Sequence, residues 1–244
     1  LIYKLKNTFS KSNALINKNF INSNSSVSDA FCWRTDSGYK TIFKFSDILS
    51  IFYKMKNTEV EIIFYSKDNN LIKKILVNEL EYSNYLTIDK NFLDGIEDYG
   101  FFYIFHKNIN DESKKFIISN RCYLGFSFKE NIYSFVHGNN FVKSLDIINN
   151  KIYSNLINMS FLKNKIYKVQ NYFEDMTKTE LFFANPSTSK IIFFVNKKKY
   201  LLKPGCAKII NIEMDKEAHI RSNCLFFRPI IFNYRNEFID VYHG

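Results

Sequence analysis

The sequence predicts a mainly β protein: two related antiparallel β-sandwich domains from an internal duplication, with little helix. Three observations predict it. Runs of β-branched and aromatic residues recur at short spacing, polar turn segments separate them, and the two halves repeat one another in order. The expected organisation is a polar N-terminal arm at 1–27, a first sandwich at 28–140 and a second at 141–244.

The arm is Asn/Ser-rich and ends in Asn22-Ser23-Asn24-Ser25-Ser26. Structure is expected from Ser28, with a strand at 39–45. Ser46-Asp47 can then cap one short helix to Tyr53. Val60-Glu61-Ile62-Ile63-Phe64-Tyr65 reads as a strand, Ser66 to Asn70 as a turn and Leu71 to Val77 as the returning strand. Further strands are expected at 85–88, 100–106, 122–128 and 132–137, the last two joined by a turn at Lys129-Glu130-Asn131. Residues 141–170 have apolar residues at mixed spacing and fit either a short helix or irregular strands. Strand texture returns at 180–185, 191–195 and 207–212, with turns at Pro186-Ser187-Thr188-Ser189 and Lys203-Pro204-Gly205-Cys206.

The repeat is clearest at the end of each half. Ile118-Ser119-Asn120-Arg121-Cys122 precedes an aromatic strand, a polar turn and Tyr133-Ser134-Phe135-Val136-His137-Gly138. Arg221-Ser222-Asn223-Cys224 precedes a strand at 225–232, a turn at 233–236 and Ile239-Asp240-Val241-Tyr242-His243-Gly244. Upstream, Val60–Ser66 matches Glu180–Asn185, Leu71–Val77 matches Ile191–Val195, and Tyr85–Ile88 matches Lys208–Ile212. A period of about one hundred residues implies duplicated domains, since solenoid repeats are far shorter.

One family resemblance accompanies the repeat. Glu180-Leu181-Phe182-Phe183-Ala184-Asn185-Pro186, a following strand, Leu202-Lys203-Pro204-Gly205 and Ile209-Ile210-Asn211-Ile212 carry it. In these the second half resembles the small β-sandwich of the sensory-rhodopsin-transducer family. The first half has Lys67 or Asp68 in place of Pro186 and lacks the Pro-Gly turn. The resemblance covers under a third of the chain. It implies a non-catalytic adaptor or ligand-binding module and carries over no catalytic residue.

The net charge is +10, which favours anionic partners in general. The basic residues are nevertheless scattered in twos and threes, as in Lys73-Lys74, Lys114-Lys115 and Lys197-Lys198-Lys199. That dispersal argues against a nucleic-acid footprint. No apolar run is long enough for a membrane-spanning helix. A soluble, cytoplasmic protein is expected, with export left open by a chain that starts at Leu1. A homodimer is compatible with the sequence. Cys32, Cys122, Cys206 and Cys224 form no C-x-x-C pair, so reduced and mostly buried thiols are expected.

Nucleophilic chemistry finds little support. Gly125-Phe126-Ser127-Phe128 lacks the second glycine of a nucleophile elbow, and no phosphate-cradling loop is present. His106, His137 and His243 end aromatic strands and could together hold zinc or iron, with Asp240 completing the site. The alternative for each is a strand-end histidine bonded to backbone, and no His-rich metal motif is present, so no cofactor is expected. Trp33, Arg34, Arg121 and Arg228 are the candidate ligand-binding residues, because aromatic and guanidinium groups in apolar surroundings anchor sugars or partner proteins. For the arginines, tying the two halves together would serve equally well. The functional expectation is a non-catalytic binding or interaction module for a glycan or a protein partner. The alternatives are a metal-dependent enzyme using the strand-end histidines and a structural subunit of a larger assembly.

Overall fold

The computed structural model describes residues 25–107, 117–119, 122–130, 132–154, 165–170, 176–212, 217–222, 224 and 227–243. Strand β1 (Ser25–Arg34) begins ahead of the expected start at Ser28 and leads through a tight turn into β2 (Tyr39–Phe45). Helix α1 (Ile48–Tyr53) follows where a cap was expected. The Asp47 carboxylate accepts a hydrogen bond from Ser50 N at 3.0 Å, and Lys54 ends the helix in the left-handed conformation. Then come β3 (Glu59–Ser66), β4 (Leu71–Val77), β5 (Asn84–Ile88), β6 (Tyr99–Lys107), β7 (Ile117–Ser119), β8 (Tyr123–Phe128) and β9 (Ser134–His137). The ambiguous stretch contains β10 (Asn139–Asp146), β11 (Lys151–Tyr153) and β12 (Lys165–Gln170). The remainder is β13 (Lys178–Ala184), β14 (Ile191–Val195), β15 (Lys198–Leu202), β16 (Ala207–Ile212), β17 (Glu217–Ser222), β18 (Ile230–Arg235) and β19 (Phe238–His243).

β18 runs through the turn expected at 233–236. The chain reverses later, at Asn236, which takes a left-handed φ of 55°. Asparagine tolerates that conformation better than most residues, so the turn sits there.

In the first sandwich the sheet β1-β6-β3-β4 faces the sheet β5-β2-β8-β9. Phe43 of β2 meets Phe31 of β1 at 5.0 Å and Phe102 of β6 at 4.8 Å between ring centroids. In the second, β12-β17-β14-β15 faces β16-β13-β18-β19, with Phe183 and Phe193 at 4.6 Å. A bulge between Asp29 and Ala30 divides β1. Its later part pairs with β6, and its earlier part pairs with β10 and, in parallel, with β7.

The two sandwiches have the same strand order. The correspondence differs from the one read by residue texture. β13 occupies the place of β2, not β3, and β14 occupies that of β3, not β4. β16 answers to β5 and the β18–β19 hairpin to β8–β9, as the residue patterns indicated. Texture slipped by one strand because Val60–Ser66 and Glu180–Asn185 are alike in composition. Composition does not record which sheet a strand joins.

One core spans both halves. The sheet β16-β13-β18-β19 turns one face to its own partner sheet and the other to the end of the first sandwich. On that second face Phe232 meets Phe126 at 4.9 Å, Tyr234 meets Phe128 at 5.3 Å, and Phe182 meets Tyr99 at 6.3 Å. Backbone joins them too, through Ala207 N donating to Lys67 O at 2.8 Å. Among the described residues, no helix is long and apolar enough to cross a membrane.

Arg34 lies inside this junction and is 2% exposed. Its Nε and Nη2 donate to the two oxygens of Asp36 at 2.9 and 2.7 Å, and its Nη1 donates to Glu180 Oε2 at 2.6 Å. The Tyr39 ring covers the guanidinium at 3.9 Å and the Phe232 ring at 4.8 Å. The Tyr234 hydroxyl also donates to Glu180 Oε2, at 2.6 Å. Burial pushes the Glu180 carboxyl up, but Arg34, Lys178 and Tyr234 outweigh it and hold it below the usual carboxylate range. Replacing Arg34 with alanine strands Glu180 without its main partner. Urea denaturation of Arg34→Ala should show a loss of about 3–5 kcal/mol, the cost of breaking a buried pair from one side. A loss inside measurement error would contradict the role given to this contact.

Candidate functional site

The residues singled out in the sequence fall in different places. Trp33 is fully buried, and its indole N–H donates to Tyr65 O at 3.0 Å. Arg34 is engaged within the chain as described. Arg121 lies outside the described residues. His106 is buried within β6 and its backbone N–H donates to Ser26 Oγ at 2.9 Å. Its sheet is not the sheet of either other histidine. Among the described residues, no group of three or more His, Cys, Asp or Glu side chains could hold a metal ion.

His137, His243 and Arg228 do converge. β9 and β19 are the last strands of their sheets and lie side by side, with Val241 N donating to Ser134 Oγ at 2.9 Å. The His243 ring meets the backbone of His137 and Gly138. Burial, then electrostatic repulsion from the neighbouring Arg228 and His137, pushes its pKa down to about 4. Its Nδ1 is buried and has no hydrogen-bond partner among the described residues. Gly138 permits the close packing here: a Cβ would lie 2.5 Å from the Phe31 ring and 2.9 Å from Asp29 Cβ. Burial raises the pKa of Asp29 to about 7. Burial, with Asp29 adding to it, pushes the neighbouring Cys122 thiol far up, so this thiol is no ready nucleophile.

Next to the junction, the outer face of sheet β5-β2-β8-β9 carries a row of side chains from all four strands. The register places Tyr85 opposite Lys44, Lys44 opposite Tyr123, and Tyr123 opposite His137. At strand spacing the row spans about 14 Å. Tyr85 is 75% exposed, Tyr123 49% and Phe135 45%. The tilted His137 and Tyr123 rings lie 4.5 Å apart between centroids, and Lys44 Nζ stands 5.1 Å from the Phe135 ring centroid. Phe135 lies over Gly125, where a Cβ would come within 2.6 Å of its ring. The missing side chain leaves room for that ring. Exposed aromatics gathered this closely on one face make it the candidate site of this structure.

Sequence reading named only His137 of this row. The signal was period-two alternation: Tyr39, Thr41, Phe43 and Phe45 point inward, so Lys40, Ile42 and Lys44 point out. Uniting Lys44 with Tyr85 and Tyr123 needs cross-strand register, which one strand's pattern does not contain.

The chain matches no protein-family model, and no curated protein and no solved structure is significantly similar to it.

The paired shifts at the junction predict opposing pH dependences. Asp29 has a folded pKa of about 7 against 3.8 unperturbed, so its contribution to stability falls as pH rises from 3.8 to 7. His243 has a folded pKa of about 4 against 6.5 unperturbed, so its contribution falls as pH drops from 6.5 to 4. Thermal melts across this range should therefore show Asp29→Asn losing more stability than wild type on acidification. His243→Gln should show the reverse. Parallel pH profiles for all three proteins would contradict the assignment.

Proposed function

We propose that the protein is a non-catalytic binding module and that its ligand is a glycan, held across the outer face of sheet β5-β2-β8-β9. The row Tyr85–Lys44–Tyr123–His137, with Phe135 beside it, carries this reading. Aromatic rings offer an apolar face to sugar C–H groups, while Lys44 and His137 offer donors to hydroxyls. The row is long enough for an oligosaccharide. The resemblance to the sensory-rhodopsin-transducer sandwich points toward the same class of module. The shared strand order supports descent of both sandwiches from one duplicated unit.

A second reading is a protein partner, as in a subunit of a larger assembly. One observation favours it. The sheet β16-β13-β18-β19 is the counterpart of β5-β2-β8-β9, and its corresponding face is covered by protein, through Phe182, Phe232 and Tyr234.

A glycan array probed with wild type, Tyr123→Ala and Phe135→Ala tests the first reading. Wild type should bind a defined set of glycans, and each variant should lose roughly tenfold in affinity, about 1.4 kcal/mol for one lost ring contact. Phe52→Ala, on the exposed side of α1, should bind as wild type does. An array without hits removes the glycan. Size-exclusion light scattering tests the second: an oligomeric mass that Tyr123→Arg reduces to monomer supports a protein interface, and a monomer at all concentrations counts against self-assembly.

A further inference from the structure

Beyond Tyr85 the outer face ends at the open side of the first sandwich, where β4 and β5 are the edge strands of opposed sheets. A cavity of about 330 Å³ opens between them. Its floor includes the buried Phe45 and Ile62, Tyr85 forms one wall, and Glu79 and Glu81 stand at the rim. This volume is in the range of small-molecule sites. Its apolar floor and polar rim suit a ring with one apolar face and polar substituents.

Two features make the site specific. The connection from β4 to β5 is held in shape by Asn84, whose Oδ1 accepts from Glu81 N at 3.0 Å and whose Nδ2 donates to Glu81 O at 2.6 Å. The rim is therefore ordered before any ligand arrives. Second, neither Glu79 nor Glu81 has an ion-pair partner among the described residues, although the chain carries a net charge of +10. The equivalent connection in the second sandwich is built differently. There β15 reaches β16 through the turn at 203–206, and the Asn185 amide ties it down by donating to Ser189 O, Leu202 O and Lys203 O at 2.8, 3.1 and 3.0 Å.

We infer that the cavity between β4 and β5 is the terminal subsite of the glycan surface and takes a pyranose bearing a free, protonated amine. The inference rests on the reading of the adjoining sheet face as a glycan surface. The sugar's C–H face lies on the apolar floor beside Tyr85, and its ammonium group sits between the Glu79 and Glu81 carboxylates, which supply the acceptors it needs. General electrostatics cannot mimic this preference, because a protein of net charge +10 repels cationic ligands overall.

Calorimetric titration of two probes tests it: a β1→4-linked glucosamine tetramer and its fully N-acetylated counterpart. Wild type should bind the amine form roughly tenfold tighter, the effect of one charge-assisted contact set. The double variant E79Q/E81Q should lose that advantage and keep its affinity for the acetylated form. Tyr123→Ala should weaken both probes alike and leave their ratio unchanged. Equal affinities in wild type, or an advantage that survives E79Q/E81Q, overturn the cavity assignment while leaving the sheet face as a glycan surface. Absence of binding by both tetramers overturns the assignment as well. A hexalysine peptide that binds wild type but not E79Q/E81Q, where the sugars do not bind, would overturn it in favour of a basic protein segment.

Discussion

A guanidinium taken out of water has to be met by acceptors in its own plane and by polarizable groups above and below. Arg34 is met on all these sides, and the groups that meet it come from both halves of the chain. Asp36 is local, Glu180 and Tyr234 come from the second sandwich, and Tyr39 and Phe232 cover the faces. The geometry leaves little freedom in how the sheet β16-β13-β18-β19 sits against the first sandwich. The shared core and the approach of β19 to β9 depend on that placement. A hydrophobic joint alone would tolerate sliding; the buried Arg34–Glu180 ion pair across it does not.

Much of the fold was legible because strands of this kind advertise themselves. Val60 to Tyr65, Ile191 to Val195 and Gly100 to His106 are dense in residues that suit a pleated surface, and they form strands where expected. The helix at Ile48 was legible through its Asp47 cap. Less visible were β10, β11 and β12, whose apolar residues have no clean period, and the role of β1, which serves two sheets by way of a bulge. The shared strand order could not be read correctly from texture, because similar apolar runs can enter either layer of a sandwich.

The candidate site was legible only at its margin. His137 stood out as a strand-end histidine, but Tyr85, Lys44 and Tyr123 are separated in sequence and meet only through the register of β5, β2 and β8. Trp33 stood out for being the only tryptophan, and that rarity marked a core residue. Residue scarcity and residue exposure are independent properties. The useful pattern was the ordinary one, a tyrosine on the outward side of an alternating strand.

The meeting of β9 and β19 has a consequence for how the protein behaves in a crowded solution. Each is the last strand of its sheet and would otherwise offer bare backbone donors and acceptors to any passing extended segment. Lying together, with the Ser134 hydroxyl on Val241 N and the His243 ring on the backbone of Gly138, they block one another's open side. The outer edge at β15 has no such neighbour among the described residues, and there the chain places the exposed Lys198-Lys199. Edge lysines oppose strand addition, since stacking them against another chain brings like charges together. Part of the excess of positive charge can thus be understood as protection against fibrillar aggregation.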